Sequence, residues 1–171
     1  MSSALNVWMN GELVGVWSVD RGSHLFAYAD AWVMAATDGH AKNYSIFLGQ
    51  GDRYTMTPLY DILSMWPYIG DGPNQFRRRS AGLAMAVRSK NVHYAFDRIE
   101  ARHWHALALK NGGPQVWAAM RGLVEQVKAA LTAVESVLPQ DFPARTWGAV
   151  SAGMRAQVLR FRDGLLALDN G

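Results

Sequence analysis

The chain has 171 residues, a formal net charge of +3 and no cysteine. Half of its residues are hydrophobic and 18% are charged, which excludes a disordered chain, because disorder accompanies few apolar residues and many charges. Without cysteine it has no disulfides and no thiolate metal sites. No run reaches the about 18 apolar residues of a membrane span and no basic-then-apolar segment opens the chain, so we expect a cytoplasmic protein without a membrane partner.

The first 33 residues predict a small β-meander. Three strands are expected, over residues 5–9, 13–19 and 25–30. Asn10-Gly11 is a preferred dipeptide for the first hairpin turn, and Arg21-Gly22-Ser23 is typical of the second. Because a meander of this size is marginally stable alone, we expect it to pack on the rest of the chain.

A second hairpin is predicted from residues 44–48 and 54–57, around Gly49-Gln50-Gly51-Asp52. If Leu48 pairs with Arg53 or Tyr54, Asn43 lies opposite Pro58 or Leu59. Asp61 then follows two or three residues later, and Asp38 lies in the loop that enters the hairpin. The three polar side chains are therefore expected to converge at the open end of the hairpin.

These three side chains suit phosphoryl transfer. The amide oxygen of Asn43 and the carboxylate of Asp61 are the hard oxygen ligands that Mg²⁺ prefers, and the carboxylate of Asp38 can accept a proton from a hydroxyl. The spacing Asp-x4-Asn, followed by an Asp after a hairpin, is that of the protein-kinase catalytic loop and magnesium-binding Asp. A structural interpretation, in which the same residues cap turns, stays open on this pattern alone.

From residue 80 onward the sequence is predicted to be helical. The predicted helices are a short one containing Leu83, Met85 and Val87, and longer ones over residues 96–110, 114–138 and 144–168. Asn111-Gly112-Gly113 and Pro114 separate the first two long helices, and Pro139 ends the second. The expected fold class is α+β: an N-terminal β-meander, a catalytic β-hairpin and a mainly α-helical lobe.

Three consecutive arginines, Arg77 to Arg79, lie in a predicted loop. They can meet phosphate, or they can be a solvated surface. Direct nucleic-acid binding through these residues with Arg88 and Lys90 is a further hypothesis, and it depends on charge alone.

The words "TDGHAKN" and "PLYDILS", at residues 37–43 and 58–64, closely resemble the C-lobe of the HipA family of toxin Ser/Thr kinases. The resemblance continues to "LPQDFP" and the last helix, and "VWMNGELVGVWS" resembles the family's opening β-segment. It implies two domains, an opening segment over residues 1–33 and a protein-kinase-like C-lobe over residues 34–171.

The resemblance implies a serine/threonine-protein kinase that transfers the γ-phosphate of ATP to a protein hydroxyl. The family's substrate class is aminoacyl-tRNA synthetases. The implied setting is a toxin–antitoxin system that produces persistence or growth arrest. The implied partner is a DNA-binding antitoxin, through which alone the protein would meet DNA.

Residue by residue, the resemblance gives Asp38 the role of the catalytic Asp, with Asn43 and Asp61 as the ligands of Mg²⁺ beside ATP. Lys42 either steadies phosphate or braces the loop through a salt bridge. His40, in the same nucleotide-binding motif, is expected to brace the loop. Two neighbours are expected to pack and so fix Asp61, namely Leu59 and Tyr60.

The chain departs from this family between Trp32 and Ala36. Family members are much longer, and most of the nucleotide-binding lobe would lie in that interval. The sequence contains no glycine-rich phosphate loop with a following strand Lys, and no regulatory loop with a phosphorylated Ser. An internal deletion at Trp32-Val33 is therefore expected. Its product is either an impaired kinase that binds nucleotide weakly and exposes apolar surface, or an inactive C-lobe remnant that binds the antitoxin.

Overall fold

A computed structural model of the chain describes residues 3–9, 12–19, 24–43, 45–48, 50, 54–57 and 60–169. Within these residues the strands form three antiparallel pairs. The strands are β1 Ser3–Met9, β2 Glu12–Val19, β3 Ile46–Leu48, β4 Tyr54–Met56, β5 Gly82–Arg88 and β6 Val92–Ala95. The helices are α1 His24–Val33, α2 Ala101–Val137 and α3 Ala144–Asp169. The mixture agrees with the α+β class, and no helix in the described part is long and apolar enough to cross a membrane.

The N-terminal region contains two of the three predicted strands. β1 pairs with β2, with Trp8 opposite Leu13 and a bulge between Val7 and Trp8, which confirms the first hairpin. The third predicted strand is wrong, because its residues lie in α1. The predicted turns at residues 10–11 and 21–23 lie outside the described residues.

The short helix predicted around Leu83, Met85 and Val87 is also wrong. These residues lie on strand β5, which pairs with β6 across a turn at residues 89–91. Leu83 and Val87 are buried and Met85 packs against the core. Because they are spaced two residues apart, all three side chains lie on one face of the strand. The helical interpretation overlooked this period of two residues.

The long helices follow the prediction more closely. α2 spans both predicted helices, with one non-helical residue at Gly113, where φ is 73°. This break coincides with the predicted Gly-Pro separation. The start differs, because residues 96–98 form a separate 3₁₀ turn before α2 begins at Ala101. α3 matches the last predicted helix.

The core is organised around Trp32 of α1. Its ring lies 5.7 Å from the ring of Trp104 in α2, 6.2 Å from that of Phe161 in α3 and 6.5 Å from that of Phe96, measured between ring centroids. All four side chains are fully or almost fully buried. Tilted and edge-on aromatic pairs of this kind add to the free energy gained by area burial. α1 is thereby held against both long helices.

The start of α2 contains a buried histidine. The backbone N–H of Glu100 donates to Nδ1 of His103 at 3.1 Å, which completes a capping box. The ring of His103 stacks on that of His93 with centroids 3.8 Å apart. Burial, followed by the neighbouring charges of His93 and Arg102, lowers the pKa of His103, and Glu100 opposes this effect. Because the native state disfavours protonation, stability is lost as the pH falls below the ordinary histidine pKa.

The substitution His103→Gln should reduce this loss. Gln at the third helical position keeps an acceptor for the capping hydrogen bond but does not titrate. We expect the wild-type free energy of unfolding to fall more steeply from pH 7 to pH 5 than that of the variant, measured by urea denaturation. His105→Gln, on the same helix, is the matched control. Equal slopes for the wild type and His103→Gln would contradict the assignment.

Candidate functional site

The site begins at the C-terminal end of α1. Ala35 has a left-handed backbone with φ of 52°, the N–H of Ala36 donates to the carbonyl of Ala31 at 2.7 Å, and the N–H of Ala35 donates to that of Trp32 at 3.3 Å. These two hydrogen bonds form a Schellman motif, which usually has Gly in the left-handed position. The motif turns the chain sharply, and Asp38 lies three residues beyond the left-handed residue.

The segment after Asp61 returns to the same helix end. Trp66 Nε1 donates to the carbonyl of Val33 at 3.0 Å, and Ser64 Oγ donates to that of Met34 at 2.7 Å. The N–H of Met65 donates to the carbonyl of Ala35 at 3.1 Å. Two segments distant in sequence are therefore fastened to one helix terminus.

Residues 38–43, the Asp38 loop, are closed by Asn43. The Asn43 side chain is 2% exposed, and its Oδ1 accepts a hydrogen bond from the backbone N–H of His40 at 2.8 Å. The N–H of Asn43 donates in return to the carbonyl of His40 at 2.9 Å. His40 thus braces the loop through its main chain, and its ring Nδ1 is buried without a partner among the described residues.

The hairpin that follows has one of the two predicted registers. Leu48 pairs with Tyr54, and the N–H of Thr57 donates to the carbonyl of Ser45 at 2.9 Å. The predicted partner of Asn43, Pro58 or Leu59, lies outside the described residues, as does most of the hairpin tip. The described ladder directs the chain from β4 back toward the Asp38 loop.

Tyr60 connects that returning chain to the loop. Its hydroxyl donates to the backbone carbonyl of Lys42 and shares a 2.9 Å hydrogen bond with the hydroxyl of Ser45. The sequence predicted that Tyr60 fixes Asp61 by packing, whereas its described contacts with the loop are hydrogen bonds. Leu59, the other predicted packing residue, is outside the described residues.

The two sequence neighbours of Asp61 both approach the loop. On one side Tyr60 is bonded to Lys42. On the other, Ile62 Cδ1 lies 3.7 Å from the point that a Cβ on Gly39 would occupy. Asp61 itself has a left-handed backbone with φ of 55°, a conformation that Asp tolerates better than most residues. The structure thus brings Asp61 next to the loop that carries Asp38 and Asn43.

The candidate residues of the site differ in exposure. Asp38, Lys42 and Asp61 are exposed. The buried Asn43 uses one Oδ1 lone pair on His40, and a carbonyl oxygen has a second. The ion pairs found in the described part of the chain, Arg102–Glu100 and Arg162–Glu125, do not involve Lys42.

The donor set fits magnesium. An amide oxygen and a carboxylate are hard ligands, and Mg²⁺ is usually bound through one or two carboxylates, with phosphates and water completing its shell. Within the described residues no cluster of three or more His, Cys, Asp or Glu side chains has metal-binding geometry.

Sequence reasoning missed Asp30, in the last turn of α1. Part of the residue is exposed, but its carboxyl is surrounded by the protein, and this burial raises the pKa of the carboxyl to about 8. The signal in the sequence was a single acid inside an apolar run, residues 25–36. A group with this pKa is mostly protonated at neutral pH, so a neutral carboxyl lies one turn before the cap that leads to Asp38.

The substitution Asp30→Asn should reduce the loss of stability that accompanies rising pH. A raised folded-state pKa means that the contribution of this carboxyl is fully present below its unfolded pKa near 4 and is lost as the pH rises through about 8. We expect a smaller decrease in the free energy of unfolding between pH 6 and pH 9 in the variant than in the wild type. Asp163→Asn, exposed on α3, is the control, and parallel wild-type and Asp30→Asn curves would refute the effect.

The substitution Gly39→Ala should displace the Asp38 loop. An added Cβ would lie 3.1 Å from the carbonyl oxygen of Ala36 and 3.2 Å from Cβ of Ala31, and neither group has a side-chain torsion with which to yield. We expect a loss of about 1–3 kcal/mol in the free energy of unfolding. Gly122→Ala is the matched control, because its Cβ meets no heavy atom within 4 Å. That variant should gain up to about 1 kcal/mol, and equal effects of the two would contradict the close approach.

Comparison with known families places the chain beside a described domain family. Residues 20–135 match the family model described as the HipA-like C-terminal domain. The matched region covers more than half of the chain and contains α1, the Asp38 loop, Asp61, both later hairpins and most of α2.

Proposed function

Because the chain belongs to the HipA-like C-terminal domain family, we propose that it is the catalytic lobe of a Ser/Thr protein kinase. The proposed reaction transfers the γ-phosphate of ATP to a Ser or Thr hydroxyl of a protein. The supporting observation is the position of Asp61 between Tyr60, which bonds to Lys42 of the Asp38 loop, and Ile62, whose side chain lies close to Gly39 of that loop. Enzymatic phosphoryl transfer depends mainly on positioning and charge neutralisation, so this arrangement suits it.

The roles follow from exposure and charge. The exposed carboxylate of Asp38 would orient the substrate hydroxyl and accept its proton. Asn43 and Asp61 would hold Mg²⁺, which when bound with ATP neutralises charge on the transferred phosphoryl group. The exposed ammonium of Lys42 would face the same charge. The hydrogen bonds of His40 and Tyr60 would keep the loop in place during the reaction.

The substrate and partners are proposed at the level of the family. The substrate class is aminoacyl-tRNA synthetases, and the partner is a DNA-binding antitoxin of a toxin–antitoxin system. DNA would be reached through the antitoxin.

A second candidate function is an inactive C-lobe remnant, produced by internal deletion, that binds the antitoxin. It is favoured by large apolar side chains exposed near the site: Phe47 is 60% exposed, Leu48 81% and Leu63 72%. In a complete kinase a nucleotide-binding lobe covers one side of the catalytic site. Trp32 and Val33, the proposed join, lie in α1 and are continuous with the cap that leads to the Asp38 loop.

Transfer of radiolabelled phosphate from ATP, with Mg²⁺ present, tests the proposal. We expect incorporation by the wild type, and a reduction of about 10²-fold or more in Asp38→Asn and Asp61→Asn, because the first removes the base and the second a metal ligand. Asp141→Asn, exposed between α2 and α3, should retain wild-type transfer.

Equal incorporation by the wild type and Asp61→Asn would refute the kinase proposal. Antitoxin binding without any phosphate transfer would support the inactive remnant instead. Calorimetry with Mg·ATP also separates the kinase from the inactive remnant. Only the kinase is expected to bind Mg·ATP in the wild type and to lose that binding in Asp61→Asn.

A further inference from the structure

A cleft of about 410 Å³ lies outside the candidate site. It is lined by Gly70, Asp71, Arg77, Arg78, Arg79 and Asp97. None of its lining residues belongs to the Asp38 loop or adjoins Asp61. The volume falls in the range of about 300–1,000 Å³ that small-molecule sites occupy in proteins.

One wall of the cleft is a braced loop. The Gln75 side chain accepts the N–H of Gly72 at 3.1 Å and donates to the carbonyl of Pro67 at 3.3 Å. The N–H of Gly70 donates to the carbonyl of Phe76 at 3.0 Å. These bonds close the loop that presents Gly70 and Asp71, so this wall is formed before any ligand arrives.

Arg78 is held in a defined orientation. Its guanidinium carbon lies 5.3 Å from the ring centroids of both Trp66 and Phe96. Its Nη2 donates to Oε1 of Gln157 at 2.6 Å. Gln157 is fully buried, and its Nε2 has no partner among the described residues. A guanidinium fixed in this way loses little entropy when it binds a second acceptor.

The charges around the cleft are unbalanced. Arg160 donates to the backbone carbonyl of Asp97, next to Arg78. Burial and the charge of Arg160 lower the pKa of Arg78, and Asp97 opposes them. No ion pair in the described part of the chain includes these arginines or their two neighbours in the run 77–79. Three arginines, Arg77 to Arg79, and two carboxylates, Asp71 and Asp97, line the cleft, so its lining carries a net positive charge.

We propose that this cleft binds a phosphate monoester, with Arg78 and Arg79 as its principal donors. Guanidinium groups match the geometry of phosphate oxygens through paired N–H donors, and an anion would relieve the repulsion between Arg78 and Arg160. The volume leaves room for the group that carries the phosphate. The two sources of this chemistry are free phosphate and a phosphorylated Ser or Thr side chain. The proposal does not depend on kinase activity.

Calorimetric titration of the full chain tests the cleft. The probes are inorganic phosphate, a short peptide with one phosphoserine and the same peptide unphosphorylated, at constant ionic strength. We expect saturable binding of the phosphorylated peptide and at least about tenfold weaker binding by Arg79→Ala, whose exposed side chain has no described intramolecular partner. Arg88→Ala, exposed on β5 outside the cleft, should bind as the wild type does.

The outcomes distinguish the sources. Tighter binding of the phosphopeptide than of inorganic phosphate supports a phosphorylated side chain as the ligand, and equal binding supports free phosphate. Absence of saturable binding overturns the proposal. Equal losses in Arg79→Ala and Arg88→Ala also overturn it, because they indicate general attraction to a basic surface, including nucleic acid.

A third variant separates this site from the catalytic one. Asp61→Ala should retain phosphate binding at the cleft even though it disables the proposed transfer. Loss of phosphate binding in Asp61→Ala would move the anion site to the Asp38 loop and refute the cleft. Failure of the kinase assay alone leaves the expectation for the cleft unchanged.

Discussion

The burial of Trp32 is the constraint on which the rest of the described structure depends. Its ring lies among Phe96, Trp104 and Phe161, so α1 contacts the start of α2 and the middle of α3 through one side chain. Three residues later the chain is in the left-handed conformation at Ala35. The position of the Asp38 loop is therefore fixed by core packing rather than by the loop itself.

The capping of α1 and the assembly of the site use the same hydrogen bonds. The last carbonyls of a helix lack intrahelical partners. Here those of Val33, Met34 and Ala35 accept from the segment that follows Asp61. Satisfying the helix end thereby brings Asp61 to the loop that contains Asn43, and changes that loosen the cap are expected to affect the site and the core together.

Prediction from the sequence succeeded where turn residues marked the end of an element. It failed where the apolar residues fitted both the period of a helix and the period of a strand. The hairpin with Leu48 opposite Tyr54 is one of the two registers that the sequence allowed, and the helix break at Gly113 and Pro114 follows from short-range turn chemistry. Residues 25–30 were assigned to a strand because their dense apolar character suits either period, and tertiary packing selected the helix. The left-handed Ala35 had no glycine to indicate it.

The sequence by itself determined the chemistry available to the site, namely the carboxylates of Asp38 and Asp61, the amide of Asn43 and their family-like spacing. These properties are local, since they depend on residue type and order. The tertiary structure alone decided that Tyr60 bonds to Lys42 and that Arg78 meets Gln157, 79 residues away. Contacts between residues so far apart in the sequence depend on the packing of whole elements. The entropy lost in closing a long loop is offset only by the core contacts that form when the loop closes.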